Sequence, residues 1–212
     1  FEINSAKDCS FSTIEDKKKR IFYGVRPCDI KALTLMRNFF LDKIVDEFYQ
    51  RKIKNSTFIT LACAKRCSEK SFCYEMDSGP QAKEGFDLQL IVLSKGYLVE
   101  IGSKKGGEIA KKNKKLFTMA IPLYEKETKE ALRNFTKGVK RIDYKKLARI
   151  MEEDKVKETI WDDLGLRCVV CSGCISLCPT CSCFSIIDRL NGNKGIRMRY
   201  CDGCPYAGFT RM

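Results

Sequence analysis

Thirteen cysteines and a complete lack of histidine decide which chemistry is open to this 212-residue chain. Eight of the cysteines fall between Cys168 and Cys204, and the other five lie between Cys9 and Cys73. Without histidine there is no Ser-His-Asp triad and no histidine-ligated zinc, haem or Rieske centre. Secreted disulfide scaffolds are short, carry signal peptides and favour even cysteine counts, unlike this long, lysine-rich chain. We therefore expect a reducing, cytoplasmic setting in which the thiols serve metal or redox chemistry.

The most specific motif is a run of four cysteines followed by a proline: Cys168, Cys171, Cys174, Cys178 and Pro179. This spacing is that of bacterial ferredoxins. Three cysteines at every third position let one tight loop reach three corners of a four-iron cube, and Gly173 keeps a Cβ away from it. In two-cluster ferredoxins the fourth cysteine binds the other cluster. The run predicts a 4Fe-4S cluster; zinc or free thiols are the alternatives, although a zinc knuckle needs two separated cysteine pairs.

The ligand count of this run is incomplete. If Cys178 serves a second cluster, the first cluster lacks one ligand and the second lacks three. A second run of the same type is absent from the 212 residues. We expect the missing ligands to lie beyond Met212, which would make the chain part of a longer protein. The alternative source is a set of four later cysteines, which would otherwise be small buried residues: Cys181, Cys183, Cys201 and Cys204.

Four earlier cysteines form a second candidate site: Cys28, Cys63, Cys67 and Cys73. Cys28 lies between a predicted strand and a predicted helix, where backbone amides are expected to lower the pKa of its thiol. Cys63 ends the next predicted strand, and the other two follow on a polar loop with lysine and arginine nearby. The four could hold a third four-iron cluster, with a zinc site or scattered buried thiols as alternatives. Cys9 stands alone and is expected to be structural or incidental.

Hydrophobic periodicity predicts the elements that position these cysteines. The expected strands cover residues 21–25 and 57–63, with a hairpin over residues 88–93 and 97–101. The expected helices cover residues 30–40, 42–51, 106–116, 126–138 and, as one long helix, 143–161. The strand-helix-strand opening indicates an α+β or α/β fold. We predict an α/β domain over residues 1–145, followed by a small helical ferredoxin-type iron–sulfur domain over residues 146–212.

The net charge of +13 is typical of proteins that bind nucleic acids. The lysine runs are short and mixed with acidic residues, however, so solvated faces explain them better. A basic zinc-binding module that binds nucleic acid is therefore only the alternative to an iron–sulfur protein. The longest apolar run, residues 90–93, is far too short to span a membrane. Gly102, Gly106 and Gly107 do not match a dinucleotide fingerprint, and no pair of catalytic acid and base residues is evident.

Several sequence blocks resemble the family that contains the iron–sulfur subunit of anaerobic sulfite reductase, together with the β subunit of sulfhydrogenases. The first blocks are residues 24–33, with Val25-Arg26-Pro27-Cys28-Asp29 at their centre, then Leu61-Ala62-Cys63 and Ser71-Phe72-Cys73. The later ones are the cysteine run, its continuation Pro179-Thr180-Cys181-Ser182-Cys183-Phe184, and Gly208-Phe209-Thr210. The family usually has cysteine at position 71, so Cys67 is the candidate replacement ligand.

This resemblance implies an electron-transfer subunit without catalysis of its own, carrying two or three 4Fe-4S clusters in the full-length chain. Its implied partners are a flavin subunit that oxidises NAD(P)H and a sirohaem subunit that reduces sulfite to sulfide. Residues 29–32 and 181–185 favour the sulfite reductase branch. The alternative is the β subunit of a cytoplasmic sulfhydrogenase, whose partner is a NiFe hydrogenase catalytic subunit. Neither a nucleic acid nor a membrane is an expected partner.

Overall fold

The computed structural model describes residues 2–5, 8–14, 16–137, 142–204 and 206. Its internal contacts divide the chain into two compact units. The α/β unit is Lys17–Val156, and the cysteine-rich unit combines Phe1–Asp16 with Lys157–Met212. The boundary predicted near residue 145 lies inside a helix of the α/β unit. Within the described ranges, none of the helices combines the length and apolar character that crossing a membrane requires.

The described elements follow one another along the chain with short connections, apart from one long loop over residues 62–87. The strands are β1 (Glu2–Ser5), β2 (Asp8–Ser10), β3 (Arg20–Val25), β4 (Ser56–Leu61), β5 (Leu88–Val92), β6 (Tyr97–Ile101), β7 (Phe184–Asn191) and β8 (Lys194–Cys201). The helices are α1 (Pro27–Leu41), α2 (Glu47–Lys54), α3 (Lys104–Lys112), α4 (Pro122–Thr136), α5 (Tyr144–Glu152), α6 (Glu158–Arg167) and α7 (Gly173–Leu177). A short 3-10 helix, Lys114–Leu116, follows α3. The predicted mixed α and β class is confirmed.

The α/β unit is built on a four-stranded sheet in the order β3-β4-β5-β6. Strands β3, β4 and β5 run parallel, and β6 is antiparallel to β5, as the predicted hairpin requires. Because parallel strands share a direction, the carboxyl ends of β3 and β4 meet at the same edge of the sheet. The chain leaves β3 into α1 and leaves β4 into the long loop at this edge. Both connections carry cysteines of the second candidate site.

The core of the α/β unit joins the sheet to α1 and to the long loop. Ile30, Phe58, Ala82 and Phe86 form its buried centre. Pro27 is the first residue of α1, a position where its missing N–H costs nothing and its fixed φ favours helix. Each buried aromatic or aliphatic side chain here contributes about 1.5–3 kcal/mol by leaving water. The core therefore fixes α1, and with it Cys28, against the sheet.

Several predicted helices differ in extent from the observed ones. Residues 143–161 form two helices, α5 and α6, because the chain leaves the helix at Asp154, whose φ is +51°. The Lys155 N–H then donates to the carbonyl of Ile150, at 2.9 Å, as in a Schellman motif. The helix expected over residues 126–138 begins earlier, at Pro122. The helix expected over residues 42–51 begins instead at Glu47, after its N-cap Asp46, and ends at Lys54. These corrections arise from the ends of the helices rather than from the hydrophobic pattern.

The cysteine-rich unit contains a long hairpin in addition to the expected short helices. Strands β7 and β8 pair from Phe184 with Cys201 to Asn191 with Lys194. Gly192, with a φ of +62°, lies in the turn between them, where a residue without a Cβ adopts this conformation easily. Strand β1 pairs with β8 at Glu2 and Lys194, and β2 pairs with β1. The unit predicted as a small helical ferredoxin-type domain thus also contains strands.

Candidate metal centres

The backbone around Cys28 and Cys63 is held by the edge of the sheet. Cys28 is the second residue of α1, directly after β3. Cys63 lies two residues beyond β4, and its N–H donates to the carbonyl of Pro80 at 2.9 Å. That bond ties the start of the long loop to its later part. Two of the four predicted ligands thereby lie at the shared carboxyl edge of β3 and β4, as the sequence predicted.

The long loop carries the other two cysteines of this group. Ser78 fixes the backbone of Cys73, because its N–H and its hydroxyl both donate to the Cys73 carbonyl, at 2.8 and 2.9 Å. A Cβ placed on Gly79 would lie 3.6 Å from the Cys73 sulfur, in ordinary contact. Ser71 stands where the family usually has cysteine. Its hydroxyl accepts a hydrogen bond from the Ser68 N–H at 2.9 Å, so this position supports the loop here.

Buried Gln89 on β5 anchors this loop to the sheet. Its side-chain oxygen accepts from the Ala82 N–H at 2.7 Å, and its amide nitrogen donates to the Ala82 carbonyl at 3.2 Å. The same nitrogen donates to the Glu100 carboxylate at 2.7 Å. A buried amide with all these partners satisfied fixes the loop firmly, because leaving any of them unpaired would cost about 1–3 kcal/mol. No local sequence pattern signals this non-local role.

The four thiols of the α/β unit act on one another electrostatically. Burial is the largest cause that raises the pKa of Cys63; the Arg26 guanidinium opposes it, and Cys28, Cys67 and Cys73 raise it further. These charge effects mean that the four sulfurs share one neighbourhood. Among the described residues, however, no three such side chains are arranged to hold a metal ion. A single tetrahedral ion draws its sulfurs to within about 4 Å of one another, whereas a four-iron cube keeps one sulfur at each corner, farther apart.

The expected lowering of the Cys28 pKa is wrong. Its pKa is raised, first because the surrounding protein removes water from the thiolate and second because of the Asp29 carboxylate. The Asp29 N–H at the start of α1 donates toward the sulfur and lowers the pKa, but less strongly. Desolvation and a neighbouring anion thus outweigh the helix terminus. Bound iron would reverse the balance, since its positive charge favours the thiolate.

In the cysteine-rich unit, the ferredoxin-type run forms a tight loop between two helices. Cys168 is the C-cap of α6, Cys174 lies in α7, and Cys178 is the C-cap of α7. Val170 and Ser172 both adopt the left-handed conformation, with φ of +52° and +63°. Two such residues in one short loop turn the chain sharply, which is the wrapping that the motif predicts. All four cysteines of the run are exposed.

The sulfur of Cys178 lies beside the residues that follow it. The Thr180 hydroxyl lies 3.0 Å from the Cys178 sulfur. This hydroxyl is the largest cause that lowers the pKa of Cys178, followed by the Thr180 N–H, with the Cys181 N–H adding to it. The thiolate is the form of cysteine that binds iron. The donor set therefore fits a soft, thiolate-ligated iron–sulfur cluster.

The later cysteines divide into a half-buried pair and an exposed pair. Cys181 and Cys183 are half-buried, whereas Cys201 and Cys204 are exposed. The pKa of Cys183 is raised, first by desolvation and then by the neighbouring thiols of Cys181 and Cys204. Three of the four therefore lie near one another.

Helix α7 packs against the turn after β8. A Cβ on Gly203 would meet the Ile175 side chain, which would have to shift to make room for it. The Gly203 N–H donates to its neighbour Asp202, whose carboxylate also accepts from the Ser185 hydroxyl. These contacts place the Cys204 turn beside the helix that carries Cys174. The stretch over residues 207–212, including the Gly-Phe-Thr block, lies outside the described residues.

Comparison with known proteins agrees with the chemistry of these cysteines. Residues 167–212 match the family described as a 4Fe-4S dicluster domain. The chain is 29% identical, over 200 residues, to sulfhydrogenase 2 subunit beta of Pyrococcus furiosus. The alignment covers 90% of this chain but 57% of the relative, so the chain spans little more than half of that protein's length. No solved structure matches.

These matches confirm the family resemblance and the expected cofactor. The dicluster match covers the whole ferredoxin-type run, so 4Fe-4S clusters are the prosthetic groups of this region. The similarity to the sulfhydrogenase β subunit extends through both units. The chain thus carries a 4Fe-4S dicluster domain at residues 167–212 and is similar, over most of its length, to the β subunit of a sulfhydrogenase.

Proposed function

We propose that this chain is the electron relay of a cytoplasmic oxidoreductase complex, placed between a flavin subunit that oxidises NAD(P)H and a catalytic subunit. The observation that carries the proposal is the ferredoxin-type cysteine loop, whose dicluster match makes it an iron–sulfur site. Clusters bound through cysteine transfer single electrons and need no substrate pocket. When bound, the clusters supply the electron-carrying chemistry, and the residues around them set burial and hydrogen bonding to sulfur.

Two terminal reactions are candidates. The sulfhydrogenase relative supports a NiFe hydrogenase as the catalytic partner. Residues 29–32 and 181–185 support the other branch, in which a sirohaem subunit reduces sulfite to sulfide. Anaerobic isolation of the native complex, followed by identification of its subunits, distinguishes them. Hydrogen evolution by this complex would support the hydrogenase partner, and reduction of sulfite with NAD(P)H as donor would support the sirohaem partner.

We assign Cys168, Cys171 and Cys174 to one cluster and Cys178 to the other. The tight left-handed loop and the hydrogen bonds to the Cys178 sulfur support this assignment. Cys171→Ala should remove about four irons per chain and the matching paramagnetic signal of the reduced protein, because one corner of the cube loses its ligand. Ser176→Ala, on the adjacent helix, is the matched control. Unchanged iron content in Cys171→Ala would contradict the assignment.

We further propose that Cys28, Cys63, Cys67 and Cys73 hold a third 4Fe-4S cluster. Their position after two parallel strands and their mutual effect on the Cys63 pKa support this assignment. Cys63→Ala should lower the iron content by about four per chain while the signals of the C-terminal clusters persist. Ser71→Ala should keep all the iron. If Cys63→Ala changes nothing and all four thiols react freely with iodoacetamide in the native protein, the third cluster does not exist.

The relay role predicts no catalysis by this chain alone. The sequence contains no histidine, although reduction of sulfite or protons consumes protons, and it shows no dinucleotide fingerprint. The purified chain should therefore reduce neither substrate with NAD(P)H. Once reduced chemically, it should pass electrons rapidly to its catalytic partner. Sulfite reduction by the isolated chain at the rate of the complex would contradict the proposal.

A further inference from the structure

A side-chain hydroxyl two residues after Cys178 lies within hydrogen-bond distance of its sulfur. Pro179 has no N–H to offer, so the first backbone donor after the cysteine is that of Thr180. The Thr180 hydroxyl lies 3.0 Å from the sulfur. The Thr180 side chain and backbone are also the two largest causes that lower the pKa of Cys178. A substitution can remove the hydroxyl without disturbing the backbone.

The direction of this hydrogen bond follows from the chemistry of a ligating thiolate. A free thiol could donate to the hydroxyl, but a sulfur bound to iron carries no proton and only accepts. In the loaded protein Thr180 must therefore be the donor. Reduction adds one negative charge to the cluster, which strengthens every hydrogen bond that its sulfurs accept. A donor on the ligating sulfur therefore favours the reduced state, as hydrogen bonds to cluster sulfurs generally do.

We propose that Thr180 is a positioning residue that raises the reduction potential of the cluster ligated by Cys178. The inference rests on the ligand role proposed above for Cys178. The turn after Cys178 does not need the Thr180 hydroxyl to hold its shape. The Cys181 N–H already closes this turn by donating to the Cys178 carbonyl, at 3.2 Å. The backbone can hold the turn, whereas the hydroxyl reaches the sulfur.

The test compares two substitutions of Thr180 in the native complex, purified without oxygen. Thr180→Val keeps the shape of the side chain and removes the hydroxyl; Thr180→Ser keeps the hydroxyl. Iron content is measured first, and the midpoint potential of each cluster then follows from a redox titration monitored by electron paramagnetic resonance. Cys178→Ser identifies which signal belongs to the cluster in question. Ser176→Ala, which changes another hydroxyl of the same region, is the control.

Thr180→Val should move the midpoint of that one cluster to a more negative value. The expected change is up to tenfold in the one-electron reduction equilibrium, or about 59 mV. Thr180→Ser and Ser176→Ala should leave the midpoint unchanged. If Thr180→Val binds its full iron and the midpoint potential does not shift, Thr180 does not set the potential. If only Thr180→Val loses the cluster, the hydroxyl serves cluster assembly instead, and the proposal is also overturned. If Cys178→Ser retains every signal at its original potential, the ligand assignment itself fails.

Discussion

Substitution of Gly106 by alanine should destabilise the α/β unit, although the same change one residue later should stabilise it. Both glycines lie inside α3. A Cβ on Gly106 would lie 1.9 Å from the carbonyl oxygen of Asp87, whereas the nearest atom to a Cβ on Gly107 is the Cγ2 atom of Ile101, at 3.8 Å. The first methyl group collides with backbone, which cannot rotate away. The second makes an ordinary contact.

The magnitudes follow from these two distances. To reach ordinary contact, α3 would have to move away from Asp87 by about 1.5 Å. That movement also strains the hydrogen bond from the Ser103 hydroxyl, the N-cap of α3, to the Asp87 carboxylate. Overpacking of this kind costs about 3 kcal/mol. Gly107→Ala instead gains about 0.5–1 kcal/mol, because alanine loses less backbone entropy in a helix.

Urea unfolding followed by far-ultraviolet circular dichroism measures both effects. With a slope of about 2 kcal/mol per molar urea, Gly106→Ala should lower the midpoint by about 1.5 M, and Gly107→Ala should raise it by about 0.3–0.5 M. Fluorescence of Trp161 is unsuitable, because this residue lies in the cysteine-rich unit. Equal midpoints for the two variants would refute the packing of α3 on Asp87. So would a Gly106→Ala protein as stable as the parent.

Three further outcomes are expected. Gln89→Leu should lower the free energy of unfolding by about 1–3 kcal/mol, because the Ala82 N–H loses its buried partner. An unchanged urea midpoint would show that Gln89 does not anchor the loop over residues 62–87. Asp46→Ala should cost about 1 kcal/mol in thermal unfolding, since its carboxylate caps α2, and Asp46→Asn should retain most of this stability. In iron-free protein, alkylation of Cys63 by iodoacetamide should reach half its maximal rate at a higher pH than for a free cysteine, because burial raises the pKa of its thiol. A half-point at or below the free value, with circular dichroism unchanged, would contradict that shift.

The elements with strong local signals were predictable from the sequence. A β-branched and aromatic run closed by Arg26-Pro27 marked the end of β3, and the helix predicted after it, over residues 30–40, begins three residues earlier, at Pro27. The spacing of the ferredoxin-type run likewise predicted a tight loop, and Val170 and Ser172 supply its turns. In each case the residues that determine the structure are neighbours in sequence. Local steric and capping rules are therefore sufficient.

Most of the missed features have no local signal in the sequence. The break at Asp154 has neither glycine nor proline to mark it, and the pKa of Cys28 depends on burial by distant parts of the chain. Hairpin β7–β8 did leave a signal, Asn191-Gly192 between two stretches rich in strand-forming residues. The hairpin was missed because the neighbouring ferredoxin-type run predicted a helical domain. The anchoring of the long loop by Gln89 had no local signal at all.

The pairing of β1 with β8 has a consequence for synthesis on the ribosome. Glu2 and Lys194 are partners in one sheet although nearly the whole described chain separates them, and Lys17–Val156 forms its own unit in between. At about 5–20 residues per second, β1 waits about 10–40 s for its partner strand to emerge. The α/β unit can fold during that interval, since its contacts are complete earlier. We expect nascent chains to pass through a stage in which the α/β unit is folded while the edge of β1 that pairs with β8 is still open to chaperones and to proteolysis.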